Sequence, residues 1–235
     1  MFDSHTHILK RNAIVDLDPV DLIATNRKPS PILRKGYYYS VGIHPWNYLR
    51  VTPASLRLLR ALAADPQILA IGECGLDTLC PHGSEYSPSI HTNPAPLSGN
   101  QTPPLSDNHS DSPAGKFGNQ DPAQQSAKAH REAFHASRSE IIQAQTTLLR
   151  YHYILSETLR KPLILHIVKA FPEIIALKKQ WRPTQPWIIH GFRGKPQLAR
   201  ELLAHGFHLS FGKKYNPASL ALTPPSRLLH ETDQT

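Results

Sequence analysis

A chain of 235 residues, 40% of them hydrophobic, is long enough to bury the core of one barrel or α/β domain. Its formal charge of +8 and pI of about 9.6 favour an anionic partner, such as nucleic acid, a phosphate ester or an acidic surface. Cys74 and Cys80 fit neither a zinc ribbon nor a disulfide framework, and no apolar run approaches the ~18 to 20 residues of a membrane span; with no apolar leader ahead of His5, the expectation is a cytoplasmic protein without a membrane partner.

The first element is Asp3-Ser4-His5-Thr6-His7. Residues i and i+2 of a strand share a face, so His5 and His7 would present two imidazoles side by side, a pair of metal ligands. Asn12 to Leu17 is a short second strand candidate, after which Pro19, Pro29 and Pro31 break the chain. Tyr37 to Ile43 reads as a buried strand running into a His44-Pro45 turn. Pro53 to Ala64 is a helix, with Thr52 as N-cap and Pro53 at its first position. Ile68 to Glu73 is an apolar strand ending on a carboxylate. From 81 to 125 the chain is Pro, Ser, Asn, Gln, Asp and Gly with scarcely an aliphatic residue, which predicts a low-complexity, disordered insertion.

Helical spacing returns over Ile141 to Arg160. Pro162 to His166 is a strand ending on histidine, and a helix follows Pro172. Trp187 to Gly191 is a strand that reaches His190. Pro196 to His205 is a helix with Gly206 as C-cap, and Phe207 to Phe211 a strand. Leu220 to Pro225 is a turn or short helix, and Arg227 to Asp233 a last strand ending on a carboxylate. Eight short apolar strand candidates, alternating in part with helices, imply a parallel sheet covered on both faces, a (β/α)8 barrel forming one domain over 1–235. Functional groups of that fold sit at the C-terminal ends of strands. Here those positions hold His5, His7, His44, Glu73, His166, His190 and Asp233. Nitrogen and oxygen ligands without thiolate suit one or two divalent ions: zinc, manganese, nickel or iron, with magnesium a poorer match.

The segments DSHTH (3–7), GIHPW (42–46), GECGLD (72–77), LILHIVKA (163–170), IIHGFRG (188–194) and LLHETD (228–233) resemble, in order, those of the TatD-type metal-dependent hydrolases, a branch of the amidohydrolase-like TIM barrels. The resemblance implies metal ligands at His5, His7, Glu73, His166, His190 and Asp233, with Glu73 bridging two ions drawn from zinc, manganese or magnesium. It implies cleavage of phosphodiester bonds in DNA, in some members as a 3′-exonuclease. On that reading Asp233 orients the metal-activated water and takes its proton. His44, Lys169 and Arg193 contact the substrate, with Lys195, Lys213 and Lys214 in neighbouring loops. Cys74 is a packing residue, and Asp77 caps a loop or touches the site from behind. Three departures stand out: the 81–125 insertion, a reduced second βα unit between His7 and Tyr37, and an expected loss of the last helix, since only Gln234 and Thr235 follow the final acidic motif. The alternatives are an amide or ester hydrolase on the same site, or an inactive nucleic-acid-binding remnant.

Overall fold

The structure, a computed structural model, describes residues 3–7, 9, 11–25, 33–80 and 137–232. An eight-stranded parallel sheet runs in strict chain order. Its strands are β1 (Asp3–Thr6), β2 (Ala13–Leu17), β3 (Tyr38–Val41), β4 (Ile68–Asp77), β5 (Leu163–Val168), β6 (Trp187–Ile189), β7 (His208–Phe211) and β8 (Leu228–His230). The helices are α1 (Pro19–Ala24), α2 (Pro53–Ala63), α3 (Arg138–Leu159), α4 (Phe171–Trp181), α5 (Pro196–Ala204) and α6 (Pro217–Leu222), with 3-10 turns at Pro45–Arg50 and Pro225–Arg227. The short α1 is the reduced second unit. The sheet closes through side chains: Ser4 Oγ lies 2.7 Å from Ser210 Oγ and donates to the His230 carbonyl at 3.0 Å. Asp3 accepts both the amide and the hydroxyl of Thr232.

The core has two layers, and strand alternation decides which residue joins which. Tyr39, Leu163, Leu165, Trp187, Ile189, Leu209 and their neighbours face outward and pack under the helices. Ala70, Ile164 and Ile188, with Ile14 and Leu229, fill the barrel interior. Two residues beyond four of these interior plugs stand Asp16, His166, His190 and Glu231, on the same face and one step nearer the C-terminal mouth. An apolar floor therefore lies directly beneath the polar site.

Several expected boundaries move; β6, for one, stops at Ile189, short of His190. β4 does not stop at Glu73 but runs to Asp77, and β5 continues past His166 to Val168. β8 stops at His230, with Glu231 and Thr232 already outside the strand, so the last strand does not end on a carboxylate. Asp233 and the 81–125 insertion lie outside the described residues. No helix among the described residues is long and apolar enough to cross a membrane.

Candidate metal centre

Glu73 is the hub, and the backbone of β4 makes it one. The β4–β5 register shifts between Ile71 and Cys74, so Glu73 sits in a bulge that re-aims its side chain. Gly72 and Gly75 flank it at φ +128 and +148, where L side chains are strained. A Cβ on Gly72 would lie 2.3 Å from the Ile164 carbonyl oxygen, and one on Gly75 would lie 2.1 Å from that of His166. Only glycine lets β4 approach β5 closely enough to bring Glu73 beside His166. A second register shift, between Asp3 and Thr6, places His5 in an irregularity of β1.

The two carboxylate oxygens of Glu73 face different histidines. Oε2 lies 3.2 Å from His5 Nε2 and 3.4 Å from His7 Nε2. Oε1 lies 2.6 Å from His166 Nδ1, 2.6 Å from His190 Nε2 and 3.3 Å from His44 Nε2. His5 and Glu73 are buried, whereas His7, just past the end of β1, is half exposed. Burial alone would raise the Glu73 pKa. The charge of His190, with hydrogen bonds from His166, His190 and His44, outweighs burial and holds the carboxyl well below its ordinary range. Burial opposes protonation of His190, yet Glu73 and Glu231 push its pKa well upward.

Outer groups orient the rings on the Oε1 side. His166 Nε2 lies 3.0 Å from Asp77 Oδ2, where the carboxylate accepts, so a neutral His166 ring would keep its proton on Nε2 and could offer Nδ1 to an ion. His190 Nδ1 faces Glu231 Oε1 at 3.8 Å, and the same oxygen accepts from the Gly191 amide at 2.8 Å. His44 differs: its Nδ1 accepts from the Trp46 amide at 3.2 Å, which leaves the neutral ring's proton on Nε2. Asp18 fixes this turn by accepting from the His44 amide at 2.9 Å and from Asn47 at 2.8 Å.

Helix α3 braces the same side from behind. The fully buried Gln145 accepts from the Asp77 amide at 2.9 Å and donates to the Pro45 and Asp77 carbonyls. About two turns further along the same face, buried His152 accepts the Ile43 amide at 2.9 Å, and burial lowers its pKa to about 4. At β2, Asp16 Oδ1 accepts the Glu73 amide at 2.8 Å and the Ser40 hydroxyl at 2.7 Å; burial raises its pKa to about 6.

Two groups could each hold a metal ion: His5, His7 and Glu73, and His44, Glu73 and His166. The donor atoms fit such an ion. His166 Nδ1 and His190 Nε2 converge on a carboxylate oxygen at 2.6 Å and on each other at 3.1 Å, a cluster that requires a proton or cation among them. The ring nitrogens of buried His5 make no hydrogen bond among the described residues. Thiolate takes no part, since buried Cys74 directs its thiol to the Ile164 carbonyl.

Of the sequence candidates, His5, His7, His44, Glu73, His166 and His190 come together. Lys169 and Arg193 line an adjoining cavity with His166 and His190, and Asp77 touches His166 directly. Asp16, Glu231, Gln145 and His152 were not singled out in the sequence. Asp16 and Glu231 carried a signal, a carboxylate two residues after an apolar strand residue. Gln145 and His152 carried none beyond polarity on the apolar side of a helix.

A family profile described as TatD related DNase matches residues 30–92 and 127–234. Curated relatives include a 3′-5′ ssDNA/RNA exonuclease TatD of Cronobacter turicensis, 28% identical over 208 residues, covering 84% of this chain and 57% of the relative. The Cronobacter sakazakii protein of the same name is 28% identical over 209 residues, covering 85% and 57%. The chain thus spans less than two thirds of these relatives' length. Among solved structures, the TatD homologue YjjV of Escherichia coli K12 shares the fold with a TM-score of 0.54 at 20% identity, covering 94% of this chain and 66% of that one. A match over most of the chain, including the segments that hold His44, Glu73, His166 and His190, makes this protein a member of the TatD related DNase family.

Proposed function

We propose that the protein is a metal-dependent hydrolase that cleaves phosphodiester bonds in single-stranded nucleic acid. The observation that carries this reading is Glu73, whose two oxygens each face a separate histidine group. His5 and His7 on one side, and His166 and His190 on the other, would hold one or two divalent ions, with Glu73 between them and Asp233 completing the set. The nitrogen-rich donors favour zinc or manganese over magnesium. A bound divalent ion supplies Lewis acidity to a phosphoryl oxygen and lowers the pKa of a coordinated water.

The chain's own groups divide the remaining work. His44, with its proton held on Nε2 by the Trp46 amide, donates to a non-bridging phosphate oxygen and does not serve as a ligand. Asp77 and Glu231 keep the rings of His166 and His190 turned toward Glu73. Lys169 and Arg193 attract the anionic strand. Asp233 takes the proton of the attacking water; its neighbour Thr232 is tied to Asp3, two residues before His5. The named activity of the Cronobacter relatives, on single-stranded DNA and RNA, supports this choice of substrate.

The test is a panel on the metal-reconstituted full chain: end-labelled single-stranded DNA and RNA, a p-nitrophenyl phosphodiester and an amide. Stepwise shortening from the 3′ end is the expected result. Amide cleavage without phosphodiester cleavage would replace this reading with an amidohydrolase, and oligonucleotide binding without cleavage of any substrate would leave a binding protein.

A further inference from the structure

Among the described residues, two adjoining cavities at the C-terminal end of the sheet share Trp46 and His166 as a partition. The first, about 960 Å³, lies over β2 and β3. Asp16, Asp18, Asp21 and Glu73 line it against Arg34 and Arg50, and Arg50 is paired with Asp21 at 3.1 Å. The second, about 680 Å³, lies over β4 to β6. Its walls are mostly apolar, including Leu79, Val168 and Phe171, with Lys169 and Arg193 as its cations and Asp77 as its carboxylate. A polyanion is repelled by the excess of carboxylates in the first cavity and attracted by the balance in the second.

Trp46 stands at the boundary with 49% of its surface exposed. Its indole Nε1–H donates to Asp77 Oδ2 at 2.7 Å, and its ring meets that of His44 edge-on at 5.3 Å. The polar edge of the indole is thus fixed against the site while much of the ring remains open. Its orientation is set before any ligand arrives, which lowers the entropy cost of stacking.

We propose that a single-stranded substrate leaves the metal centre through the β4–β6 cavity, with one unpaired base stacked on Trp46. This rests on the hydrolase reading for the identity of the strand but concerns binding, so the two can fail separately. Stacking on an aromatic ring tolerates any base and is lost when the base is removed. Lys169 and Arg193 contact the backbone and make binding salt-dependent.

The experiment is fluorescence anisotropy of a labelled short oligothymidylate, and of the same strand with abasic residues at its 3′ end. Both are titrated with the full chain, manganese-loaded and again in EDTA. We expect the base-bearing strand to bind about 5- to 150-fold more tightly. Trp46→Ala should abolish that difference, and Trp46→Phe, which keeps a ring but not the Asp77 hydrogen bond, should retain most of it. Lys169→Ala should weaken both strands alike, and Arg50→Ala neither. The proposal is overturned by absent binding, by no base preference in wild type, by Trp46→Ala weakening both strands equally, or by Arg50→Ala matching Lys169→Ala. Base-dependent binding that requires Trp46, from a protein that cleaves nothing, would sink hydrolysis and leave the stacking site standing.

Discussion

The two sides of Glu73 are built differently. On the Oε1 side, His166 and His190 each have a carboxylate behind them, Asp77 and Glu231, and helix α3 locks the end of β4 at Asp77 and the turn that carries His44. On the Oε2 side, the His5 ring nitrogens have no hydrogen-bond partner among the described residues, and β1 is fixed by side-chain ties at the barrel seam: Asp3 to Thr232, Ser4 to Ser210 and His230. An oriented histidine loses less freedom on binding an ion than one held only by its strand. The difference teaches that a site can have one braced half and one half that depends on barrel closure, so an ion on the Oε1 side should bind more tightly.

The strongest way to break this comparison is Glu73→Gln, which removes the charge both halves share. Metal content by elemental analysis should fall to at most one ion per chain, and turnover should fall by roughly 100-fold or more, beyond the usual effect of an outer partner. Two ions retained at full occupancy would contradict a bridging Glu73. Asp77→Asn comes next and acts on the Oε1 side alone. It should weaken the tighter ion by about 10- to 100-fold in a chelator competition while the weaker ion is unchanged. Equal weakening of both would show that the halves are not separately braced.

Acid should loosen the α3 brace. His152 has a pKa of about 4 in the folded chain, below its ordinary 6.5, so the unfolded chain takes up that proton first. The contribution is complete above pH 6.5 and is lost as pH falls toward 4, by on the order of 3 kcal/mol. Urea unfolding of wild type and His152→Gln should therefore show a stability difference that shrinks between those pH values; a pH-independent difference would rule this out. The smallest effect is expected from Ser4→Ala, which removes a buried closure contact. It should cost about 1 kcal/mol in urea unfolding and weaken the Oε2-side ion while sparing the other. A variant that leaves both unchanged would mean closure does not support that half.

Much of the fold was legible because alternation and apolar runs are local properties of the chain. The β5, β6 and β7 strands and the helices starting at Pro53 and Pro196 lie close to where spacing places them. The repeated pairing of an interior plug with a polar group two residues on, as in Ile164 with His166 and Ile188 with His190, is written in the sequence, since strand period fixes the shared face. The end of β4 is not legible in the sequence because a carboxylate after an apolar run looks like a strand end, whereas here glycines and a bulge let the strand continue past it.

By itself, the sequence determined the kind of scaffold and the residue types at the mouth of the barrel: histidines and carboxylates on strands, cations in the later loops. Only the tertiary structure decided which oxygen of Glu73 meets which histidine, that Asp16 holds the Glu73 amide, and that Gln145 and His152 reach the loops near residues 43–45 and 77 from α3. The Asp16–Glu73 and Ile43–His152 contacts, for instance, join residues 57 and 109 positions apart. The physical reason is that strand and helix periods set the face a side chain occupies, while closure of the barrel and the close approach of β4 to β5 set what that face meets.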